Sequence, residues 1–157
     1  RRGHHPRGIL GGRSDAAQIP TDLLAYMTKT FTPELMSQHF QTPVVLYGEG
    51  YGAKIQKSGG LYKPDGVDFV LFDVRIGCWW LKRADVENIA VAFGLKTVPL
   101  ISLGPLNSMV ALCQQGFKSQ WGDFPAEGIV ARPIETLYDK RMNRVIVKIK
   151  SVDFRHK

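Results

Sequence analysis

Four short segments place charged or aromatic side chains where a strand would begin, end or run. In Tyr47-Gly48-Glu49-Gly50 the two-residue repeat of a strand puts Val45, Tyr47 and Glu49 on one side, so a carboxylate emerges between glycines and could accept a hydrogen bond from a ribose hydroxyl. An ordinary loop glutamate has the same local sequence. In Phe69-Val70-Leu71-Phe72-Asp73-Val74 an acid interrupts an apolar strand. A carboxylate buried there is costly unless it is hydrogen-bonded or faces a site. Phe72 could stack on a base, and it could equally be a core ring.

Glu127 precedes the apolar run Gly128-Ile129-Val130-Ala131, a placement suited to holding a divalent metal or orienting an amine, and equally that of a surface glutamate. In Val145-Ile146-Val147-Lys148-Ile149-Lys150 the alternation puts Lys148 and Lys150 on one face, with Val147 and Ile149 on the other. Paired ammonium groups suit a triphosphate, and an amphipathic edge strand with solvated lysines has the same pattern.

The elements that would carry these residues can be read from periodicity. Leu23, Leu24, Met27 and Phe31 recur at helical spacing, and Thr32-Pro33-Glu34 supplies a cap and a first-turn proline for a second helix ending near Phe40. Strands are expected over Thr42 to Tyr47 and Asp68 to Ile76, with Lys63-Pro64-Asp65-Gly66 as a turn between them. A helix from Ala84 to Phe93 stops at Gly94, a short strand is expected over Val98 to Ser102, and a helix from Leu106 to Gln115 stops at Gly116. Gly128 to Arg132 and Arg144 to Val152 read as the last strands. The sum is an α+β fold with an antiparallel sheet component and no internal domain boundary.

Composition limits the partners. The chain has 157 residues, 44% of them apolar, enough to bury a core. Its 21 Lys and Arg against 14 Asp and Glu give a formal charge of +7, which favours polyanions such as RNA, DNA or nucleotides. Cys78 and Cys113 lie in apolar surroundings without ligand spacing and read as small core residues in a reducing compartment; His4, His5, His39 and His156 form no metal motif. No apolar run is long enough to span a bilayer, so a soluble cytoplasmic protein is expected, without a membrane partner. The chain opens on Arg1-Arg2, and Ile9-Leu10 reads as strand residues with no earlier partner, so a preceding segment is expected.

Taken in order, Gly12-Arg13-Ser14-Asp15-Ala16-Ala17-Gln18, Tyr47-Gly48-Glu49, Phe72-Asp73, Glu127-Gly128 and Lys148-Ile149-Lys150 resemble the covalent nucleotidyltransferases, specifically ATP-dependent RNA ligases of the RNA ligase 2 type. The resemblance spans nearly the whole chain. It implies one nucleotidyltransferase domain over residues 1–157, N-terminally incomplete, of ATP-grasp-like architecture with mainly antiparallel sheets and flanking helices. It implies a reaction in which a lysine takes AMP from ATP, passes it to an RNA 5′-phosphate, and a 3′-hydroxyl displaces it, assisted by Mg²⁺ or Mn²⁺. Partners would be ATP and nicked or single-stranded RNA ends, and the protein would be a monomer.

By that resemblance Arg13 would contact the nucleotide or RNA end, Glu49 the ribose and Phe72 the adenine, with Asp73 supporting the site beside it. Glu127 would hold metal or steer the lysine, and Lys148 and Lys150 would grip the phosphates. The family's Lys-x-Asp-Gly nucleophile motif is expected upstream of Gly12-Arg13, where this chain has no lysine before Lys29. Lys63-Pro64-Asp65-Gly66 matches the motif literally but lies out of family order and reads as a turn. A DNA ligase or capping-type guanylyltransferase would share the scaffold, and a non-catalytic nucleotide- or RNA-binding domain would keep the pocket without the nucleophile.

Overall fold

Alternating apolar residues over 44–52 and 67–76 pair as two long antiparallel strands, β1 (Val44–Gly52) and β2 (Val67–Ile76), at the centre of the first of two compact units. The computed structural model describes residues 19–52, 65–121 and 124–154. The segment Gly12 to Gln18 and Lys63-Pro64 lie outside them, whereas Asp65 and Gly66 form the bend leading into β2.

β2 is the spine of this sheet. Its other edge pairs antiparallel with β3 (Trp79–Trp80) and, further back, parallel with β4 (Lys96–Thr97). The strand expected over Val98 to Ser102 is therefore shorter and earlier: pairing is limited to Val70↔Lys96 and Leu71↔Thr97, and the chain leaves the sheet before Pro99. Proline has no backbone donor to extend the ladder.

Helices α1 (Thr21–Thr30), α2 (Pro33–His39) and α3 (Arg83–Phe93) form as the periodicity requires. The Thr32 side chain accepts from the Leu35 N–H at the start of α2, with Pro33 in its first turn, and Gly94 ends α3 in the left-handed region at φ 65°. Their apolar stripes converge on one face of the sheet. Phe69, Leu71 and Val74 of β2 meet Val86, Ala90 and Phe93 of α3 and Leu95, while Met27, Phe31, Leu35 and Met36 pack around them from α1 and α2. Phe31 meets Phe69 edge-on at 5.9 Å and Phe93 at 5.5 Å.

The second unit, residues 99–157, is built on α4 (Leu106–Gln115) and the antiparallel pair β5 (Gly128–Ala131) and β6 (Val147–Lys150), followed by a 3₁₀ turn, Ser151–Phe154. Both strands are shorter than periodicity suggests. Before β6 the chain makes a polar loop in which the Asp139 carboxylate accepts from the Arg141 and Asn143 N–H groups, closed by a single bridge between Tyr138 and Arg144. Cys113 is buried under β6, its thiol donating to the Ile149 carbonyl at 3.7 Å. Cys78 is exposed, contrary to the core placement expected of it, because it occupies the turn between β2 and β3. Among the described residues no helix is long and apolar enough to cross a membrane.

Candidate nucleotide site

The β1–β2 ladder contains one irregularity. Tyr47 pairs with Asp73 but Gly48 pairs with Leu71, so Phe72 is an extra residue with no partner across the strand. A bulge of this kind changes the phase of alternation. Phe69 and Leu71 face the core before it, and Val74 and Ile76 do so after it. Without the bulge, the apolar run of β2 could not keep one face against the helices along its whole length. Its second consequence is to put Phe72 and Asp73 side by side away from the core: Phe72 is 39% exposed and Asp73 half-buried. That exposure removes the core alternative for Phe72.

The same face receives alternate residues of β1. Leu46 packs with the core cluster, so Val45, Tyr47 and Glu49 point the other way, as the two-residue repeat requires. Glu49 is exposed. Gly48 faces inward, and a Cβ there would collide with the Phe69 ring and the Val70 carbonyl, so the strand can approach β2's ring only with glycine at this position. The first unit thus gathers Glu49, Phe72 and Asp73 on the sheet face opposite its hydrophobic cluster, beside a stretch of that face where Tyr51, Asp68 and Val70 are buried.

In the second unit Lys148 pairs with Val130 and Lys150 with Gly128, which places both lysines on one face of β5–β6. The opposite face carries buried Ile149, against α4. Both lysines are exposed, as is Glu127, which stands one residue before β5. The Glu127 carbonyl accepts from the Ser151 N–H at 2.8 Å, tying the start of β5 to the end of β6. Gly128 is forced by this proximity, since a Cβ would run into the Ile149 carbonyl and the Lys150 backbone. Arg13 lies outside the described residues.

Among the described residues no group of three His, Cys, Asp or Glu side chains could cage a metal ion. A Mg²⁺ or Mn²⁺ ion held by one carboxylate and the phosphates of its substrate needs no such cage. Glu127 fits that mode.

Sequence reading passed over the most thoroughly buried acid among the described residues. Asp68 is 8% exposed and accepts from Tyr26 Oη at 2.9 Å, Tyr51 Oη at 3.1 Å and the Phe69 N–H at 2.8 Å, with Lys96 Nζ at 3.8 Å. Burial first, and then this carboxylate, push the Tyr26 phenol up to about 12 and the Tyr51 phenol higher still. A second omission is the cluster formed by Tyr47, Arg75 and Trp80. The two rings lie 5.2 Å apart, with the Arg75 guanidinium 5.8 Å from Tyr47 and 5.5 Å from Trp80. Alternation along β2 was the available signal for Arg75, but the bulge hides it.

The sequence matches the family described as RNA ligase over residues 10–150. No curated protein matches it. Its fold is similar to that of a Naegleria gruberi RNA ligase, solved as an apo mutant, with a TM-score of 0.62 at 19% identity, covering 88% of this chain and 41% of that one. The chain therefore spans about two fifths of the length of that solved ligase. Likeness at this identity concerns the fold, an α+β arrangement of mainly antiparallel sheets with helices.

Proposed function

The chain belongs to the RNA ligase family, and from that premise we propose that it forms the nucleotide-binding part of an ATP-dependent ligase joining RNA 3′-hydroxyl and 5′-phosphate ends. The observation that carries this reading is the bulged sheet face: a carboxylate, an exposed aromatic ring without a cross-strand partner and a second carboxylate stand together at one bulge, opposite the hydrophobic cluster.

In this reading the Phe72 ring stacks on adenine, Glu49 accepts from the ribose hydroxyls, and Asp73 supports the site from the position next to Phe72. Lys148 and Lys150, on one face of β6, neutralise the triphosphate. Phosphoryl transfer demands mainly positioning and cations around developing negative charge. Arg13 would meet the nucleotide or the RNA end. A divalent cation, bound by Glu127 and the phosphates, would supply further charge neutralisation at the reacting phosphoryl group.

A lysine amine attacks the α-phosphate and pyrophosphate leaves, giving enzyme-bound AMP. The RNA 5′-phosphate then takes the AMP and frees the lysine. Finally the 3′-hydroxyl attacks the activated 5′-phosphate, a phosphodiester forms and AMP departs. The attacking lysine is the one role given to no residue here.

Two measurements test the proposal. Calorimetric titration should show ATP binding that falls about tenfold in Phe72→Ala and survives in Phe72→Tyr, the size of loss expected for one stacked base. Wild-type affinity in Phe72→Ala would refute the stacking role, and equal affinity for GTP would favour a capping-type enzyme. Incubation with α-labelled ATP and Mg²⁺ followed by denaturing electrophoresis then reports covalent transfer. Label lost in Lys63→Arg would make Lys63 the nucleophile; label unaffected by it, yet abolished in Glu127→Ala or Lys150→Ala, fits the roles given above. ATP binding with no label at all would favour a binding-only domain.

A further inference from the structure

The bulged face of the β1–β2 sheet is not uniform along its length. Glu49 stands opposite Val70 and Tyr47 opposite Asp73, so the carboxylates lie toward one end. Beyond them, Val45 stands opposite Arg75, and Arg75 stands opposite Trp80 on its other side. Cross-strand partners share a face, so Tyr47, Arg75 and Trp80 form a continuous aromatic and cationic surface that begins where the nucleotide-binding residues stop.

The guanidinium lies within 6 Å of both ring centroids, the distance over which a cation is attracted to an aromatic face. Its Nε is closed off from solvent, and no acceptor among the described residues meets it. The two rings, rather than a hydrogen bond at Nε, are thus the neighbours that the described residues offer this side of the guanidinium. Tyr47 keeps 37% of its surface exposed although it touches Trp80, and Val45 beside it is exposed too. A planar cation within 6 Å of two rings, one of them more than a third exposed, is what a strand of stacked bases can use.

We infer that the Tyr47–Arg75–Trp80 surface is a stacking platform for the bases of a single-stranded RNA end. This inference rests on the ligase reading, for which it supplies the seat of the second substrate. Charge and π-faces occur together in RNA. An acidic peptide would satisfy the arginine but leave the rings unused, and the chain's charge of +7 complements a polyanion.

The geometry supplies its own control. Trp79 is 74% exposed, more than any residue of the platform, but it pairs with Ile76 and so belongs to the opposite face. Indiscriminate adhesion of RNA to exposed indoles would depend on Trp79; the platform would not.

The test is fluorescence anisotropy of a labelled single-stranded RNA titrated with the full chain, with tryptophan emission recorded alongside. RNA is expected to quench part of the emission. Trp80→Leu and Tyr47→Leu should weaken RNA binding about tenfold, Trp80→Phe should largely restore it, and Trp79→Leu should change nothing. Arg75→Lys keeps the charge but not the plane, and should weaken binding as well. Circular dichroism separates these losses from unfolding, and the conservative Trp80→Phe and Arg75→Lys variants decide the matter if the leucine variants do not fold.

Wild-type RNA affinity in folded Trp80→Leu and Arg75→Lys would overturn the inference. So would an equal loss in Trp79→Leu, or displacement of RNA by heparin, a polyanion without bases, that responds to the same variants. ATP titration of the same proteins keeps the two readings apart. ATP binding retained in Trp80→Leu while RNA binding falls supports the platform, whereas RNA binding sensitive to Trp80 in a chain that does not bind ATP would sink the nucleotide site and leave the platform standing.

Discussion

A buried carboxylate fixes more of this molecule than its position suggests. Asp68 joins α1 through Tyr26, β1 through Tyr51 and β4 through Lys96. Removing the charge while keeping the shape, Asp68→Asn, turns one acceptor oxygen into a donor that faces a phenol. The expected cost is about 1–3 kcal/mol, the usual penalty for an unsatisfied buried polar group, read as a lower denaturant midpoint. Wild-type stability would show that the two phenols do not depend on this carboxylate. The phenols also set an alkaline limit. Their folded-state values lie above the ordinary tyrosine value of 10.0, that of Tyr26 at about 12. A raised pKa contributes stability that is fully present below the unfolded value and is lost as pH rises through the folded one. Stability should therefore fall from about pH 10 to pH 12, and in Tyr26→Phe with a smaller slope; identical alkaline profiles for the two proteins would refute this. Sequence alone marked Asp73 as the acid embedded in an apolar strand, whereas the deeper one is Asp68. Both sit among apolar neighbours, and only the tertiary partners Tyr26 and Tyr51 distinguish them.

At the scale of elements, helices were legible because caps and stripes agree: Thr32 and Pro33 begin α2, Gly94 ends α3, and Gly116 ends α4, at the places local chemistry requires. Strand extents were less so. Pairing set β4 at Lys96–Thr97 and trimmed β6 to Val147–Lys150, and pairing depends on neighbours distant in sequence. The bulge at Phe72 was not legible at all, since an inserted residue in a strand leaves no local composition signal when that residue is itself apolar. It does yield a sharp expectation. Deleting Phe72 would leave Leu71 opposite Gly48 and Asp73 opposite Tyr47, a regular ladder in which Leu71 and Val74 still face the helices. The deletion should thus fold with a melting temperature within a few degrees of wild type, a change of about 1 kcal/mol or less, while losing ATP affinity as Phe72→Ala does. Deleting Leu71 instead removes a fully buried side chain, at a cost of about 2–5 kcal/mol. If both deletions unfold the chain alike, Phe72 is needed for the ladder itself and not only for what binds on it.

Over the whole molecule, the order of short motifs carried the recognition: the four that fall among the described residues sit on or beside strands, which can keep their register while most other residues change. At 19% identity the fold is still shared with the solved ligase over 88% of this chain. The motifs divide between the two units, Glu49, Phe72 and Asp73 in the first and Glu127, Lys148 and Lys150 in the second. Net charge is the property that belongs to neither unit alone, and it separates two contributions to RNA affinity. Neutralising phosphates releases counterions, with a salt slope of roughly −0.7 per phosphate for single strands. If about four phosphates are engaged, affinity should drop about 50-fold between 50 and 200 mM salt. Base stacking carries no such dependence. The ratio of wild-type to Trp80→Leu affinity should therefore stay constant across that range while both affinities fall together. A ratio that collapses toward one at high salt would mean that Trp80 acts by orienting Arg75 as a charge. A constant ratio with a slope near zero would mean that the +7 charge of the chain contributes little to holding RNA.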